Sequence, residues 1–382
     1  MPAAREEVVV VGGGAAGLAS AAMLIKNGIS PLVLERGPEP GAAWRTRYDR
    51  LHLHTVRWLS SLPGYKIPRT LGKWVPRDGV LDYLDQYARH HGVRVRFDTP
   101  VEGIERAGDG WRVVTPDEQI EAGGVVIATG YSNEPVVPDW PGKDAFSGEL
   151  VHSREYRNPE PYRGRSVLVV GSGNSGAEIA VDLAEGGANK VWCSVRTPPD
   201  IVRRDRFGIP SQAIGVAMTK LPASWRRPIA GFMRRATIPD LTEYGLPVPP
   251  GGALANFATH RVIPILDVGF IDGVQTGRIE IVPAVEAFDG ADVLLRGDRR
   301  ISPGAVIAAT GFRPALDRIL SGLDVLDERG GPRAHGGETV PGAEGLHFVG
   351  FELTLGGMLR QIGFQSRAVA EALAAKRSAV AA

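Results

Sequence analysis

Two glycine-rich loops constrain the fold of this chain more than any other feature. The first, GGGAAG at residues 12–17, follows an apolar run at 7–11 and opens an apolar-periodic stretch at 15–27. The second, GSGNSG at residues 171–176, follows the apolar run at 166–170. A strand, a G-x-G-x-x-G turn and a helix form the βαβ unit that binds a dinucleotide. Two copies predict an α/β chain with two such units.

Each glycine of the first loop has its own predicted task. Gly12 permits the tight turn, Gly14 lets the backbone approach a pyrophosphate, and Gly17 lets helix and strand pack closely. The helix offers its unpaired N–H groups and the positive end of its dipole to the phosphates. Glu35 ends the second strand, where a carboxylate accepts ribose hydroxyls and disfavours a 2′-phosphate. The site is therefore predicted to suit FAD or NAD better than NADP.

The strand after the second loop, residues 190–195, ends in Arg196 and Thr197 instead of an acid. A guanidinium can grip a ribose 2′-phosphate through two charge-assisted hydrogen bonds. The two sites therefore divide by charge, and the second is predicted to hold NADPH. Arg203 and Arg204 either add to this positive pocket or form a solvated basic face.

Composition excludes several classes of protein. The chain has 44 basic and 43 acidic residues, a net charge of +1, so no nucleic-acid partner is expected. Its single cysteine, Cys193, is predicted to be a buried structural thiol, which leaves no disulfide or C-x-x-C pair, and no metal site is predicted. The segment before the first strand is too short for a signal peptide, and no stretch reaches the ~18 apolar residues of a spanning helix. We expect a cytoplasmic protein without membrane contact.

Between the two loops lies the pattern F-x-G-x-x-x-H-x-x-x-Y, at residues 146–156. It resembles the signature of flavin-containing monooxygenases. Further matches are LHLH at 51–54, LP at 62–63 and YLDQYA at 83–88. Over nearly its whole length the chain resembles class B flavin-dependent monooxygenases, and most of all the YUCCA-like branch with its bacterial relatives. Tyr156, where Baeyer–Villiger enzymes usually have Trp, argues against that activity.

The resemblance implies a two-dinucleotide flavoprotein. A Rossmann-like FAD domain, residues 1–155 and 305–382, would hold an inserted Rossmann-like NADPH domain at 156–304. Residues 205–265, rich in Pro, Trp and Arg, are interpreted as a lid or substrate-side subdomain within that insertion. The alternative for this segment is a basic amphipathic patch on a membrane surface.

The resemblance also implies the reaction. NADPH reduces the flavin, oxygen adds at flavin C4a as a (hydro)peroxide, and a small organic substrate is oxygenated at nitrogen, sulfur or a carbonyl carbon. Kinship with the YUCCA-like branch suggests oxidative decarboxylation of a 2-oxo acid. The alternatives are an NADPH oxidase or reductase, and a redox-sensing flavoprotein without turnover. The partners are a small-molecule substrate and molecular oxygen, and a homodimer is left open.

His54 and Arg57 are the catalytic candidates, because the resemblance puts flavin-facing groups at this point. Either could stabilise an anionic peroxide, and the alternative for His54 is a packed core histidine. His152, within the signature, is expected mainly to hold structure.

Two A-T-G runs, at 128–130 and 309–311, each end an apolar strand with a glycine that leaves space for a cofactor. Trp44 lies in a segment resembling one that runs beside the flavin. Asn174 and Ser175 either cap the second helix or contact its cofactor. The residues predicted to contact the cofactors are Gly12, Gly14, Ala16, Gly17, Glu35, Arg36, Trp44, Arg45, Thr129, Gly130, Gly171, Gly173, Asn174, Ser175, Gly176, Arg196, Thr197, Thr310, Gly311 and Gly350.

Overall fold

The computed structural model describes residues 4–206, 208–218 and 221–381. In chain order its strands and helices are β1 (Ala4–Val11), α1 (Ala15–Lys26), β2 (Pro31–Leu34), α2 (Ala42–Arg45), α3 (Arg77–His90), β3 (Val95–Arg96), β4 (Gly103–Ala107), β5 (Gly110–Val114), β6 (Gln119–Ile127), β7 (Glu134–Pro135), β8 (Glu149–His152), β9 (Ser166–Val170), α4 (Asn174–Glu185), β10 (Lys190–Ser194), β11 (Ile201–Arg203), β12 (Asp205–Arg206), β13 (Ile209–Pro210), α5 (Ser211–Met218), α6 (Ala223–Thr237), α7 (Gly252–His260), β14 (Ile265–Asp267), α8 (Phe270–Gln275), β15 (Ile279–Val282), β16 (Val285–Asp289), β17 (Asp292–Leu295), β18 (Arg299–Ile301), β19 (Ala305–Ala308), β20 (Phe312–Arg313), β21 (Leu346–Phe348) and α9 (Met358–Ala381).

The chain forms two compact units. The first consists of Met1–Thr46, Thr55–Glu134 and Phe312–Ala382, and the second of Arg47–His54 and Pro135–Gly311. Each contains one predicted glycine loop between a parallel strand and a helix.

The first unit is built on a seven-stranded sheet in the order β3-β2-β1-β6-β5-β4, with β21 also pairing with β6. Strands β3, β2, β1, β6 and β21 run parallel, whereas β4 and β5 continue the sheet as an antiparallel hairpin. The central strand β1 is fully buried from Val8 onward, as the apolar run of a strand covered on both faces requires. Helix α9 packs on α1.

The second unit contains a five-stranded parallel sheet in the order β15-β10-β9-β19-β8. A three-stranded antiparallel sheet, β16-β17-β18, shares a core cluster with it that includes Phe146, Leu168 and Phe288. Two parallel sheets, each with a glycine loop after an inner strand, confirm the predicted α/β fold with two Rossmann-like units.

The compact units divide at places other than the predicted domain boundaries. The prediction cut the chain at 155/156 and 304/305, whereas the units divide after Glu134 and after Gly311. The reason is strand pairing. Strand β8 pairs with β19, and β19 pairs with β9, so both lie in the second sheet. The assignment of one cofactor to each domain stays a prediction.

Residues 205–265, the predicted lid or substrate-side segment, contain the helices α5, α6 and α7 and belong to the second unit. Residues 207, 219 and 220 of this segment lie outside the described residues. On α6 the side chains of Trp225 and Phe232 are 64% and 68% exposed. The role proposed for this segment stays a prediction.

Candidate functional site

The first glycine loop has the geometry that its sequence predicts. Gly12 has a φ of +108°, and an added Cβ would stand 2.7 Å from the carbonyl oxygen of Ala128. A Cβ at Gly17 would stand 1.8 Å from the carbonyl oxygen of Gly12, so helix and strand approach here more closely than any side chain allows. Nothing lies within 4 Å of a Cβ at Gly14, where α1 begins without a side-chain cap. The loop therefore packs closely on neighbouring backbone at Gly12 and Gly17 and has open space at Gly14.

Glu35 is buried at the end of β2 and holds this loop. Its Oε2 accepts a hydrogen bond from the N–H of Gly13 at 2.5 Å, and its Oε1 accepts one from the N–H of Gly37 at 2.8 Å. A carboxylate oxygen retains further lone pairs, so these contacts leave room for ribose hydroxyls. Glu35 thus has a structural task in addition to the predicted one.

Thr129 follows β6 beside Gly12, and its Oγ1 is buried without a hydrogen-bond partner. Buried hydroxyls are normally paired, so this atom fits a ligand group above the loop. Gly130, with φ of +78°, leaves open space next to it. The orphaned hydroxyl and the open surface over Gly14 fit a bound dinucleotide.

The remaining predicted residues of the first unit lie in varied surroundings. Ala16 is buried in α1 and would meet a Cβ added at Gly350 at 3.0 Å. The N–H of Gly350 donates to Oε1 of Gln365 on α9. Trp44 is half-buried in α2, whereas Arg36 and Arg45 are exposed. Arg45 pairs with Glu39 at 2.5 Å and donates to the carbonyl of Pro40.

The second loop repeats the geometry of the first. Gly171 has a φ of +114°, and a Cβ there would stand 2.5 Å from the carbonyl oxygen of Ala309. A Cβ at Gly176 would stand 1.9 Å from the carbonyl oxygen of Gly171. Gly173 again has open space above it, and α4 begins there without a side-chain cap. This surface also fits a dinucleotide phosphate at a helix N-terminus.

Asn174 and Ser175 do not cap α4, so the capping interpretation is wrong. The Asn174 side chain faces β14 instead, where Oδ1 accepts from the N–H of Leu266 at 2.8 Å and Nδ2 donates to the carbonyl of Pro264. Helix α4 begins at Asn174, and its N-cap position is occupied by Gly173, which has no side chain to accept from the orphan N–H groups.

Arg196 and Thr197 are exposed where β10 ends. Within the described part of the chain, the Arg196 guanidinium makes no hydrogen bond or ion pair, which leaves its donors available to a 2′-phosphate. Arg203 differs because it pairs with the buried carboxylate of Asp267 at 2.8 Å. The hydroxyl of Thr310 donates to the carbonyl of Val136.

His152, in the signature segment, has its tautomer fixed by two backbone groups. The N–H of Arg154 donates to Nδ1 at 3.0 Å, so the hydrogen sits on Nε2, which donates to the carbonyl of Gly311 at 3.0 Å. Burial lowers the pKa of His152, which keeps the ring neutral. The residue therefore ties the end of β8 to the second A-T-G run.

The two catalytic candidates have different partners. Arg57 donates from Nε to the carbonyl of Gly72 at 2.8 Å and from Nη1 to the carbonyl of Ile67 at 3.3 Å, which holds the 67–72 loop. His54 is half-buried, and its Nε2 lies 2.8 Å from Oε1 of Glu178. His54 is thus not a packed core histidine, and the catalytic role of both residues stays a prediction.

Glu178 is the residue that the sequence analysis missed. It is 4% exposed on α4, and its Oε2 accepts a hydrogen bond from the phenol of Tyr48 at 2.7 Å. One turn later, Asp182 accepts from Tyr156 at 2.7 Å, and Glu185 pairs with Arg50. The spacing of acids at 178, 182 and 185 on one helix face was the available signal.

The charges around this acidic face shift several pKa values. Burial alone raises the pKa of Glu178, but the charge of His54 and the hydrogen bonds from His54 and Tyr48 outweigh it, and the pKa is lowered. Burial raises the pKa of Asp182 and, together with the Glu178 charge, that of Tyr48. A cavity of about 150 Å³ borders the network, lined by Arg50, His52, Glu178, Arg204 and Val268.

The described residues contain neither a membrane-spanning helix nor a metal-binding cluster. None of the described helices is both long and apolar enough to cross a membrane. Among the same residues, no group of three or more His, Cys, Asp or Glu side chains is arranged to hold a metal ion.

Known proteins resemble this chain in sequence and in fold. A family model of the pyridine nucleotide-disulphide oxidoreductases matches residues 9–203. The probable indole-3-pyruvate monooxygenase YUCCA3 of Arabidopsis thaliana is 32% identical over 349 residues, covering 88% of this chain and 80% of the relative. The indole-3-pyruvate monooxygenase YUCCA1 of Oryza sativa subsp. japonica is 33% identical over 342 residues, covering 88% and 84%.

Among solved structures, a mutant flavin monooxygenase from Stenotrophomonas maltophilia superimposes with a TM-score of 0.76. It is 27% identical and covers 98% of this chain and 99% of its own. Sequence and fold therefore agree with the two glycine loops and the signature segment. The chain belongs to the class B flavin-dependent monooxygenases, within the pyridine nucleotide-disulphide oxidoreductases, a class of enzymes that use FAD and NADPH.

Proposed function

We propose that the first loop holds FAD, that the second holds NADPH, and that the enzyme oxygenates a small 2-oxo acid with an aromatic side chain. The observation that carries the cofactor assignment is the contrast between Glu35 and Arg196 at equivalent strand ends. A buried carboxylate excludes a 2′-phosphate from the first site, whereas an exposed guanidinium attracts one at the second.

Different residues of the chain would bind the two cofactors. The N–H groups at the start of α1, the Thr129 hydroxyl and Glu35 would hold FAD. The N–H groups at the start of α4, with Arg196 and Thr197, would hold NADPH. When bound, the pair supplies the redox chemistry, with hydride from the nicotinamide and oxygen activation by the reduced flavin.

The substrate class is supported by the indole-3-pyruvate monooxygenases, at 32% and 33% identity. The proposed reaction balances: a 2-oxo acid, O₂, NADPH and H⁺ give the acid one carbon shorter, CO₂, H₂O and NADP⁺. One oxygen atom enters the new carboxylate and the other leaves as water. A cytoplasmic location and a homodimer are part of the same proposal.

The test is oxygen uptake by the purified flavoprotein with NADPH, in the presence of indole-3-pyruvate or phenylpyruvate under ¹⁸O₂. We expect one NADPH consumed per acid formed, and one ¹⁸O in each new carboxylate. Thioethers, amines and ketones form the comparison panel. Hydrogen peroxide in a one-to-one ratio to NADPH with every compound would identify an oxidase, and oxygenation of a thioether or amine alone would overturn the 2-oxo acid assignment.

A further inference from the structure

Helix α6, in the second unit, turns its apolar side away from the protein. Four exposed residues, spaced three or four apart, share one side of the helix, and we call them the outward stripe: Trp225, Pro228, Phe232 and Ala236. The half-buried positions 226, 230, 233, 234 and 237 lie on the other side. The apolar stripe of an amphipathic helix normally faces the core, so an outward one indicates a binding surface.

Polar contacts on the other side of α6 hold the helix in this orientation. Arg203 donates from Nε to the carbonyl of Thr237 at 3.4 Å. The Arg234 guanidinium is close enough to the carboxylates of Asp200 and Asp240 for its charge to act on both. All of these residues belong to the second unit. The contacts therefore keep the outward stripe turned to solvent.

Exposed apolar side chains are concentrated in the segment that contains α6. Among the described residues, seven of the twelve large hydrophobic side chains that are exposed belong to residues 205–265, which make up 61 of the 382 positions. Single exposed hydrophobic residues are normal on a soluble protein, whereas their concentration in one segment is not. The seven are Ile209, Leu221, Trp225, Phe232, Val248, Leu254 and Val262.

The charge of the same stretch has one sign. Residues 206–239 include five Arg and one Lys and no Asp or Glu, in a chain whose basic and acidic residues otherwise balance at 44 to 43. On α6 the exposed Arg235 borders the outward stripe. A surface that combines apolar and cationic groups is complementary to an apolar layer with an anionic surface.

This charge decides between the possible occupants of the stripe. A second copy of the chain, related by a two-fold axis, would place the same cationic surface against itself, and like charges repel. An anionic phospholipid bilayer instead offers phosphates to the arginines and an acyl boundary to Trp225 and Phe232. Helix α6 has 15 residues, and no described helix can cross a membrane, so it would lie on the bilayer surface.

We propose that the second unit binds the surface of an anionic phospholipid bilayer through α6. Trp225 and Phe232 insert at the level of the headgroups, and Arg235 lies against the lipid phosphates together with the other basic residues of 206–239. This inference selects the membrane-surface interpretation of residues 205–265 and replaces the expectation of a protein without membrane contact. It does not rest on the proposed function, because binding needs neither NADPH nor substrate.

The first test is flotation of the holoenzyme with phosphatidylcholine vesicles that contain or lack phosphatidylglycerol. We expect binding only to the anionic vesicles, and weaker binding at high salt because the charges are screened. Trp225→Ser and Phe232→Ser should each lower the partition coefficient by about tenfold, since an apolar side chain no longer enters the bilayer. Phe364→Ser is the matched control, because it removes an exposed aromatic side chain from α9 of the first unit.

The second test separates the position of a charge from the net charge of the chain. Arg235→Glu should lower the partition coefficient by about tenfold, because it replaces a cation at the bilayer by an anion. Arg329→Glu changes the net charge equally at an exposed position of the first unit, and its binding should match wild type. Equal losses in the two variants would refute a surface on α6.

The third test reads insertion directly. Brominated acyl chains quench the emission of a tryptophan that enters the bilayer, so anionic vesicles made with brominated lipid should quench the wild type more than Trp225→Phe. The variant retains an aromatic side chain at this position and the other six tryptophans of the chain. Equal quenching of the two proteins would show that Trp225 does not enter the bilayer.

The remaining outcomes identify the other occupants. Equal binding to neutral and anionic vesicles, or no binding to either, overturns the inference. A dimer that Phe232→Ser dissociates, without vesicle binding, would assign the stripe to a second copy of the chain. Slower oxygenation by Trp225→Ser and Phe232→Ser, again without vesicle binding, would support the lid interpretation. Since flotation is done without NADPH or substrate, failure of the proposed reaction would leave the binding result intact.

Discussion

The two glycine loops have nearly the same backbone and opposite chemistry at the strand that follows. In both, the first glycine has a φ above +100° and the last would bring a Cβ within 2 Å of the first glycine's carbonyl. The first site ends in Glu35, buried and bonded to its own loop, and the second in Arg196, exposed and without a partner among the described residues. We infer from the loops that each unit binds a dinucleotide, and the chemistry of the two strand ends is the basis of our proposal for which one.

The same contrast appears at the two A-T-G runs. Thr129 keeps a buried hydroxyl without a partner, whereas the Thr310 hydroxyl donates to Val136. Identical motifs therefore do not give identical sites. At the first site the hydroxyl has no protein partner, and the carboxylate binds its own loop with lone pairs to spare. At the second site the hydroxyl binds the carbonyl of Val136, and the guanidinium has no partner among the described residues.

The closest contacts give the largest expected effect. Alanine at Gly17 or Gly176 would place a Cβ 1.8 or 1.9 Å from backbone oxygen, which cannot move as a flexible side chain can. We expect each substitution to lower the free energy of unfolding by about 3 kcal/mol, measured by denaturant titration. Variants as stable as wild type would mean that the starts of α1 and α4 lie further from the preceding loop backbone than these distances indicate.

The open glycines test which cofactor each loop holds. Gly14 and Gly173 both have a φ of −83°, so alanine is tolerated there, but its methyl group would fill the space above the loop. We expect Gly14→Ala to lower the affinity for flavin by about 100-fold, because the methyl group would keep the pyrophosphate away from the backbone. Gly173→Ala should keep its flavin and instead raise the KM for NADPH.

Flavin content of the purified variants and KM values for NADPH are the measurements. Each variant is the control for the other, because the two methyl groups are equally well tolerated by the backbone. Loss of flavin from Gly173→Ala, with normal flavin in Gly14→Ala, would reverse the assignment of the two loops.

The Arg196 guanidinium should set the preference for the phosphorylated nicotinamide. Arg196→Ala is expected to raise the KM for NADPH by about 30-fold, because two charge-assisted hydrogen bonds to the 2′-phosphate are lost. The KM for NADH should change by no more than about twofold. Because Arg196 is exposed and forms no hydrogen bond or ion pair with another described residue, the free energy of unfolding should be unchanged. Equal increases for both nucleotides would refute a 2′-phosphate contact.

The sequence predicted the first βαβ unit almost residue by residue, because glycine spacing and apolar strands are local signals. It also predicted the second loop and the buried thiol of Cys193, and both are confirmed. It placed the domain boundaries differently from the compact units, since only pairing assigns β8 and β19 to the second sheet.

For Glu178 the sequence offers only the spacing of the acids at 178, 182 and 185, which reveals neither its burial nor its partners. An acid in an amphipathic helix normally indicates an exposed face, and only the partners reveal that this one is buried. Those partners are far away in sequence: Tyr48 lies 130 residues before Glu178 and His54 lies 124 before it. A pairing over that distance follows from tertiary structure alone.

The smallest expected effect concerns Cys193, on β10 of the second unit. The family that the chain belongs to is named for disulphide chemistry, which requires two cysteines, and this chain has one. Cys193 is fully buried, and burial raises its pKa to about 12, so almost no thiolate exists at neutral pH. We expect Cys193→Ala to keep the rate of NADPH consumption within about twofold and to cost about 1 kcal/mol of stability. A thiol reagent should label the wild type only after unfolding. Rapid labelling of the native enzyme would contradict the burial of Cys193 in the second unit.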